Sequence, residues 1–269
     1  MPDEQHCNSQ DVAAIITAMT DAEEPFVRDT VESVLSDPGI AQVVLCIEEN
    51  NTWLSVVLNS IINDPRLTVI RTPLAPLGAV RNQALNFVQM PWVAYCDGDD
   101  VWCRGKTLNQ LNYAITIGCD FVGADHYLTN SDGKICAFAT ARYIPMPSSW
   151  MVRTEIMIKH PFDESPFSLS KDESGEWWIR TVGLVSRARC PEMLLRYRIR
   201  SSSLSTKTPS MQRKAKIVAL ANNPVLRVII LFFTWCIWQC TRQKKYIWRK
   251  EWGQKPYKNT DQERRNQCE

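Results

Sequence analysis

Short apolar runs alternate with helical patterns through the first hundred residues. Each run is too continuous for a half-exposed strand and too short for a helix, which predicts buried parallel strands. The four runs lie at 12–16, 42–47, 67–70 and 92–96. Between them, apolar residues recur at the spacing of amphipathic helices, at 24–36, 54–62 and 79–89. This alternation predicts an α/β fold with a mainly parallel sheet covered by helices.

The pattern becomes mixed after residue 96. We predict a helix at 106–117, a strand at 120–123 and a hairpin around Ser131-Asp132-Gly133. Further on, a helix at 150–160 precedes a strand at 193–200, which has apolar residues on one face and three arginines on the other. The sheet is therefore expected to gain antiparallel strands in the second half of the chain.

The stretch 225–240 is apolar apart from Arg227, Thr234 and Gln239, and basic residues lie on both sides of it. Its uncharged part, 228–240, has 13 residues, which is short of the roughly 20 that cross a bilayer. Three roles stay open: a helix at a membrane surface, a helix of the core or of an oligomer interface, and a membrane span. Tryptophans near its basic end favour the membrane surface.

Composition places the chain among ordinary globular proteins. Its 269 residues are 45% hydrophobic and 22% charged, and the net charge of +2 disfavours a nucleic-acid-binding protein of the generally basic kind. The charge is uneven, because residues 241–269 hold nine basic and four acidic side chains. The first residues lack the apolar stretch of a secretory signal, which predicts a cytoplasmic protein with free thiols.

Three carboxylates follow the fourth apolar run, in the sequence Asp97-Gly98-Asp99-Asp100. Ligands of open α/β sheets bind at the carboxyl ends of the strands, and an Asp-x-Asp there suits a hard divalent cation that also holds a diphosphate. Gly98 would let the backbone come close to the ligand. A solvated acidic turn is the alternative, and the position after a buried strand disfavours it.

The acidic turn is one of seven motifs that lie in a fixed order along the chain. They are the apolar residues 13–16, the strand end at 43–49, RTPLAPLGAVRNQALN at 71–86, YCDGDDVW at 95–102, PFDES at 161–165, EWWIR at 176–180 and LLRYRIRSSSLS at 194–205. Taken together over residues 12–205, they resemble the family 2 glycosyltransferases, whose GT-A fold is a nucleotide-binding α/β domain with an Asp-x-Asp motif. The resemblance implies a GT-A-like fold with a C-terminal helical extension.

The resemblance also implies how a nucleoside diphosphate-sugar donor is held. One of the two glutamates that end the second strand would hydrogen-bond the base or ribose, and Asp100 would contact the donor sugar. Asp97 and Asp99 would contact the nucleotide and a Mn or Mg ion. The implied donor-binding residues are Thr17, Glu48, Glu49, Arg81, Asp97, Asp99, Asp100 and Arg200.

The catalytic base is harder to assign, because the chain departs from the family pattern. The family draws its base from an acidic pair before the W-(I/L)-R segment, and counting back from Arg180 places Ser174 at the usual aspartate position. A carboxylate near the acceptor hydroxyl is needed to accept its proton. We expect this role of Glu173, then of Asp172, with Glu176 as a third candidate.

Arg200 is a second departure, since it stands where the family commonly has a histidine. An arginine cannot ligate a metal, but it can bind a diphosphate through its fork of N–H donors. The metal would then be held by Asp99, phosphates and water. The alternative for this strand is an exposed basic face.

These residues predict an inverting, metal-dependent glycosyltransferase that acts in glycan or polysaccharide synthesis. The alternative is a glycosyltransferase-like protein that binds a sugar nucleotide without turnover. The acceptor would be a glycan or a lipid-linked molecule, with possible contact to the inner face of the membrane. The predicted organisation is a flexible start at 1–10, the glycosyltransferase domain at 11–207, a helical segment at 208–250 and a polar tail at 251–269.

Overall fold

The computed structural model describes residues 11–141, 144–164, 173–200 and 209–242. Nine strands within these ranges form a single sheet, in the order β3-β2-β1-β4-β8-β6-β9-β5, with β7 paired to β6. Helices and loops cover both faces of this sheet, and two apolar clusters, one on each face, form the core. The predicted α/β fold is therefore confirmed.

The first half supplies the parallel part of the sheet. Its strands are β1 (Val12–Ala18), β2 (Ile40–Glu48), β3 (Leu67–Thr72) and β4 (Trp92–Asp97). All neighbouring pairs among these four strands are parallel. The helices between them are α1 (Val27–Leu35), α2 (Leu54–Leu58) and α3 (Leu77–Leu85). Because the strands are parallel, the carboxyl ends of β1, β2 and β4 meet at one edge of the sheet.

The second half is mixed, as the sequence predicts. Its strands are β5 (Val101–Trp102), β6 (Phe121–Thr129), β7 (Ile135–Ala139), β8 (Met151–Arg153) and β9 (Arg187–Arg198). Its helices are α4 (Lys106–Ile117), α5 (Thr154–Lys159), α6 (Glu173–Arg180), α7 (Pro209–Leu220) and α8 (Pro224–Arg242). β8 runs antiparallel to both β4 and β6, whereas β6 and β9 are parallel. The predicted hairpin joins β6 and β7.

Three local predictions are wrong. The predicted helix at 150–160 begins as β8, since 151–153 pair with β4, and becomes helical at Thr154. The predicted helix at 54–62 leaves α-helical geometry at Asn59, whose φ of 48° is left-handed, and continues as a short 3-10 helix. The predicted helix at 79–89 ends earlier, because α3 stops at Leu85 and Phe87 beyond it is 45% exposed.

Candidate active site

The site is built at the edge where β1 and β4 end side by side. Thr17 of β1 is paired in register with Asp97 of β4, and the Thr17 hydroxyl lies 3.5 Å from Asp97 Oδ1. Gly98 follows, with its N–H donating to the Thr17 carbonyl at 2.8 Å. A Cβ on Gly98 would lie 2.8 Å from Ala18 Cβ, so the acidic turn can lie this close to β1 only with glycine there.

Arg81 of α3 joins two carboxylates at this edge. Its guanidinium donates to Asp97 Oδ1 at 2.7 Å and to Glu173 Oε1 in a second, short contact. The arginine side chain is 2% exposed, whereas those of Asp97 and Glu173 are 32% and 18% exposed. The buried cation therefore holds together two carboxylates that stay open to solvent, although they are distant in sequence.

Asp99 is held by Arg200, which lies two residues beyond the end of β9. Arg200 pairs with Asp99 Oδ2 at 2.7 Å and with Glu23 Oε1 at 3.3 Å, and it also donates to the Ala22 carbonyl. Burial raises the pKa of Asp99 to about 6, with Arg200 opposing the shift. Arg200 thus connects the loop after β1 to the acidic turn. It does not lie on an exposed basic face, which was the alternative for this segment.

Asp100 differs from its neighbours in having no exposed surface. Its Oδ1 accepts the backbone N–H of Arg198 at 2.9 Å, and burial raises its pKa well above the usual range. A group enclosed in this way reaches a donor sugar only if its surroundings move. Its role as a donor-sugar contact stays a prediction.

Glu48 and Glu49 lie at the end of β2, on the other side of β1. Both Glu48 carboxylate oxygens accept hydrogen bonds from Asn50, one from the backbone and one from the side chain, each at 2.9 Å. Glu49 is exposed and donates its N–H to the Thr72 carbonyl. Neither carboxylate hydrogen-bonds or ion-pairs with Arg81, and their role at a base or ribose stays a prediction.

The candidates for the base separate clearly in space. Glu173 is the first residue of α6 and contacts Arg81. Glu176 instead forms an ion pair with Arg180 one turn further on, at 2.6 Å. Ser174, at the family's usual aspartate position, is buried. Asp172 lies outside the described residues. Of the described candidates, the structure brings only Glu173 into contact with the acidic turn through Arg81.

The described residues do not form a complete metal site. Within those ranges no group of three or more His, Cys, Asp or Glu side chains is placed to hold an ion. Asp97 and Asp99 are each already paired with an arginine. The side chains at the acidic turn therefore do not fit a divalent cation unaided, and the predicted Mn or Mg ion with Asp99 and Asp97 as ligands stays a prediction.

Ser148 is a positioning residue that the sequence does not predict. Its hydroxyl accepts the Asp97 N–H at 3.0 Å, and its carbonyl accepts the Trp102 indole N–H at 3.0 Å. It belongs to the Pro147–Ser149 turn, in a stretch whose prolines predict only a loop. Contacts between segments that are distant in the chain leave no periodic signal in either of them.

This edge carries an Asp-x-Asp turn at the end of the parallel strand β4. Residues 9–153 match the family described as "Glycosyltransferase like family 2", and the chain belongs to that family. A Bacillus subtilis (strain 168) relative, TuaG, described as a teichuronic acid biosynthesis glycosyltransferase, is 29% identical over 131 residues, which are 47% of this chain. The chain spans about half the length (51%) of that curated relative.

Solved structures share the fold at low sequence identity. S. aureus TarS residues 1–349 in complex with UDP-GlcNAc has a TM-score of 0.57 at 13% identity, covering 79% of this chain and 66% of that one. The mannosyltransferase PcManGT from Pyrobaculum calidifontis, in complex with GDP-Man and Mn²⁺, has a TM-score of 0.56 at 12% identity, with 72% and 58% covered. The GT-A-like fold is therefore confirmed.

Proposed function

We propose that this protein transfers a sugar from a nucleoside diphosphate-sugar to an acceptor hydroxyl, with inversion, in polysaccharide or glycan synthesis. One observation carries the proposal: Arg81 brings Asp97 of the acidic turn together with Glu173 of α6, and leaves both carboxylates partly exposed. Family membership and structural neighbours bound to UDP-GlcNAc and GDP-Man support a sugar-nucleotide donor.

In this proposal the residues divide the work between donor and acceptor. Thr17, Asp97 and Asp99 bind the nucleotide, and Arg200 offers N–H donors to the negative charge that develops on the leaving diphosphate. Glu173 accepts the proton of the acceptor hydroxyl as it attacks the anomeric carbon. Arg81 is a positioning residue, because its buried guanidinium fixes Glu173 relative to Asp97 and does not face the solvent.

A divalent ion would add positive charge at the diphosphate, with Asp99 and Asp97 as its protein ligands. No step of the proposal passes through it, because both carboxylates already have arginine partners. Donor binding measured in chelator and then in Mn²⁺ or Mg²⁺ decides whether an ion joins the site.

A panel of nucleoside diphosphate-sugars, scored by thermal stabilisation and then by hydrolysis, tests the function. A ligand at about 100 times its dissociation constant adds ~2.7 kcal/mol to the unfolding free energy. Slow release of free sugar from the stabilising donor supports an enzyme, whereas stabilisation without release supports the alternative of a binding protein. The anomeric configuration of the product, read by NMR, tests inversion.

A further inference from the structure

One side of α8 contacts the domain through three side chains with polar groups. The Thr234 hydroxyl accepts the Phe138 N–H of β7 at 3.1 Å, and the Trp238 indole donates to Asp125 Oδ2 of β6 at 3.0 Å. Arg242 pairs with Glu192 of β9 at 2.5 Å. These three contacts fasten one face of α8 to the edge of the domain.

The opposite side of α8 is apolar and exposed. Eight large apolar side chains on it are 40% to 66% exposed: Val225, Leu226, Val228, Ile229, Phe232, Phe233, Trp235 and Ile237. A helix on the surface of a soluble domain buries its apolar side and exposes its polar one. The polarity of α8 is the reverse, and a continuous exposed apolar surface of this kind marks an interaction site.

The charged side chains of the two C-terminal helices have one sign. Residues 209–242, which form α7 and α8, contain five basic side chains and no acidic one: Arg213, Lys214, Lys216, Arg227 and Arg242. Arg213 and Lys216 are exposed on α7. An apolar helix face beside an acid-free basic helix is complementary to an anionic lipid surface, which offers hydrocarbon and negative head groups together.

The contacts of α8 also fix its orientation. By length and composition it is the one helix among the described residues that is long and apolar enough to cross a membrane. Crossing would surround the helix with lipid, but one of its sides is hydrogen-bonded and ion-paired to the domain. A helix held in this way can present only its free side to a bilayer.

We propose that α8 is an in-plane membrane anchor, with its outer face inserted into an anionic lipid surface and the exposed basic residues of α7, Arg213 and Lys216, against the head groups. This placement goes beyond the proposed activity and does not depend on it. It would hold the domain where lipid-linked acceptors are concentrated.

Co-sedimentation with vesicles tests the anchor without any donor present. The protein should bind phosphatidylcholine vesicles that contain phosphatidylglycerol, bind pure phosphatidylcholine more weakly, and lose affinity as salt rises. A triple variant, Phe232→Gln, Phe233→Gln and Ile237→Gln, should lower binding by about tenfold or more, because three apolar groups no longer enter the hydrocarbon.

A matched control has the same number of exposed apolar side chains changed elsewhere. Val56, Ile115 and Ile158 are 79%, 55% and 66% exposed on other helices, and their change to Gln should leave vesicle binding unaltered. Unchanged binding by the α8 variant, or no binding by the wild type, would overturn the anchor. So would a dimer that the α8 variant converts to monomer without losing vesicle binding, because a second copy would then cover this face.

Tryptophan quenching gives a second readout should the triple variant fail to fold. Trp235 is 42% exposed on the outer face, so vesicles with brominated acyl chains should quench its fluorescence in the wild-type protein. Trp235→Phe should remove most of that quenching. Equal quenching in both proteins would place the outer face outside the lipid and reject the proposal.

Discussion

Two arginine–aspartate clusters in this protein use the same residue types at different places in the sheet. Arg81 pairs with Asp97 at the end of a strand, and Arg189 pairs with Asp125 inside β6. Both arginines are 2% exposed or less, but Asp97 is 32% exposed and Asp125 is fully buried. Asp125 also accepts hydrogen bonds from Trp238 and from the Ala141 N–H.

This difference distinguishes a cluster at the candidate active site from a cluster that stabilises the fold. The Asp125 oxygens are used by Arg189, Trp238 and Ala141, so this carboxylate connects β6 to β9 and α8. Asp97 shares its arginine with Glu173 of α6, and both carboxylates are partly exposed beside the end of β4, the sheet edge where ligands of α/β sheets bind. Burial and position in the strand, and not the residue type, distinguish the two clusters.

The largest expected effect is a loss of stability when the buried pair of Arg189 and Asp125 is broken. Asp125→Ala should lower the unfolding free energy by about 3–5 kcal/mol, because it leaves the Arg189 charge buried without its carboxylate. Denaturant unfolding followed by circular dichroism measures the change. Glu32→Ala, which removes an exposed partner of Arg28, is the control and should cost less than ~1 kcal/mol. Similar losses in both variants would refute the difference between enclosed and exposed pairs.

At the cluster of Arg81, Asp97 and Glu173 the expected effect is on the rate of sugar transfer. Glu173→Gln should lower the rate of sugar transfer by roughly 10²-fold with little change in donor affinity, because the amide no longer accepts a proton. Glu176→Gln is the matched control, since this residue pairs with Arg180 away from the acidic turn, and its rate should stay near the wild-type value. A large loss in the Glu176 variant instead would assign the base to that residue.

Asp99→Asn should weaken donor binding by roughly tenfold without lowering stability. Burial raises the pKa of the Asp99 carboxyl from 3.8 to about 6, so ionising this group in the folded protein costs free energy at neutral pH that asparagine does not incur. Thermal unfolding and donor titration of the same sample measure both quantities. A variant that unfolds earlier but binds donor normally would make Asp99 a structural residue.

The smallest effect is expected at Thr17. Its hydroxyl lies 3.5 Å from Asp97 Oδ1, at the limit of a hydrogen bond, so Thr17→Val should change donor affinity by about threefold or less. Donor titration checks it. A loss as large as that of the Asp99 variant would show that the Thr17 hydroxyl contributes as much to donor binding as the Asp99 carboxylate.

Much of the fold could be predicted from the sequence, because β1, β2 and β4 are mostly buried runs whose pattern is local, although β3 at the edge of the sheet is largely not buried. The strand at 151–153 could not, since its pairing with β4 arises from distant segments. The acidic turn was found from its position after β4. The contact between Arg81 and Glu173 could not be predicted, because the two residues lie on different helices. The sequence of α8 also does not show which residues its inner side contacts.

The most direct test of the central claim is hydrolysis of a stabilising nucleoside diphosphate-sugar by the wild-type protein and by Asp97→Asn. The account predicts that the wild type binds one such donor and slowly releases its sugar. It also predicts that Asp97→Asn loses both binding and release while remaining folded. Unaltered binding and hydrolysis in folded Asp97→Asn would contradict the assignment of the site to the ends of β1 and β4.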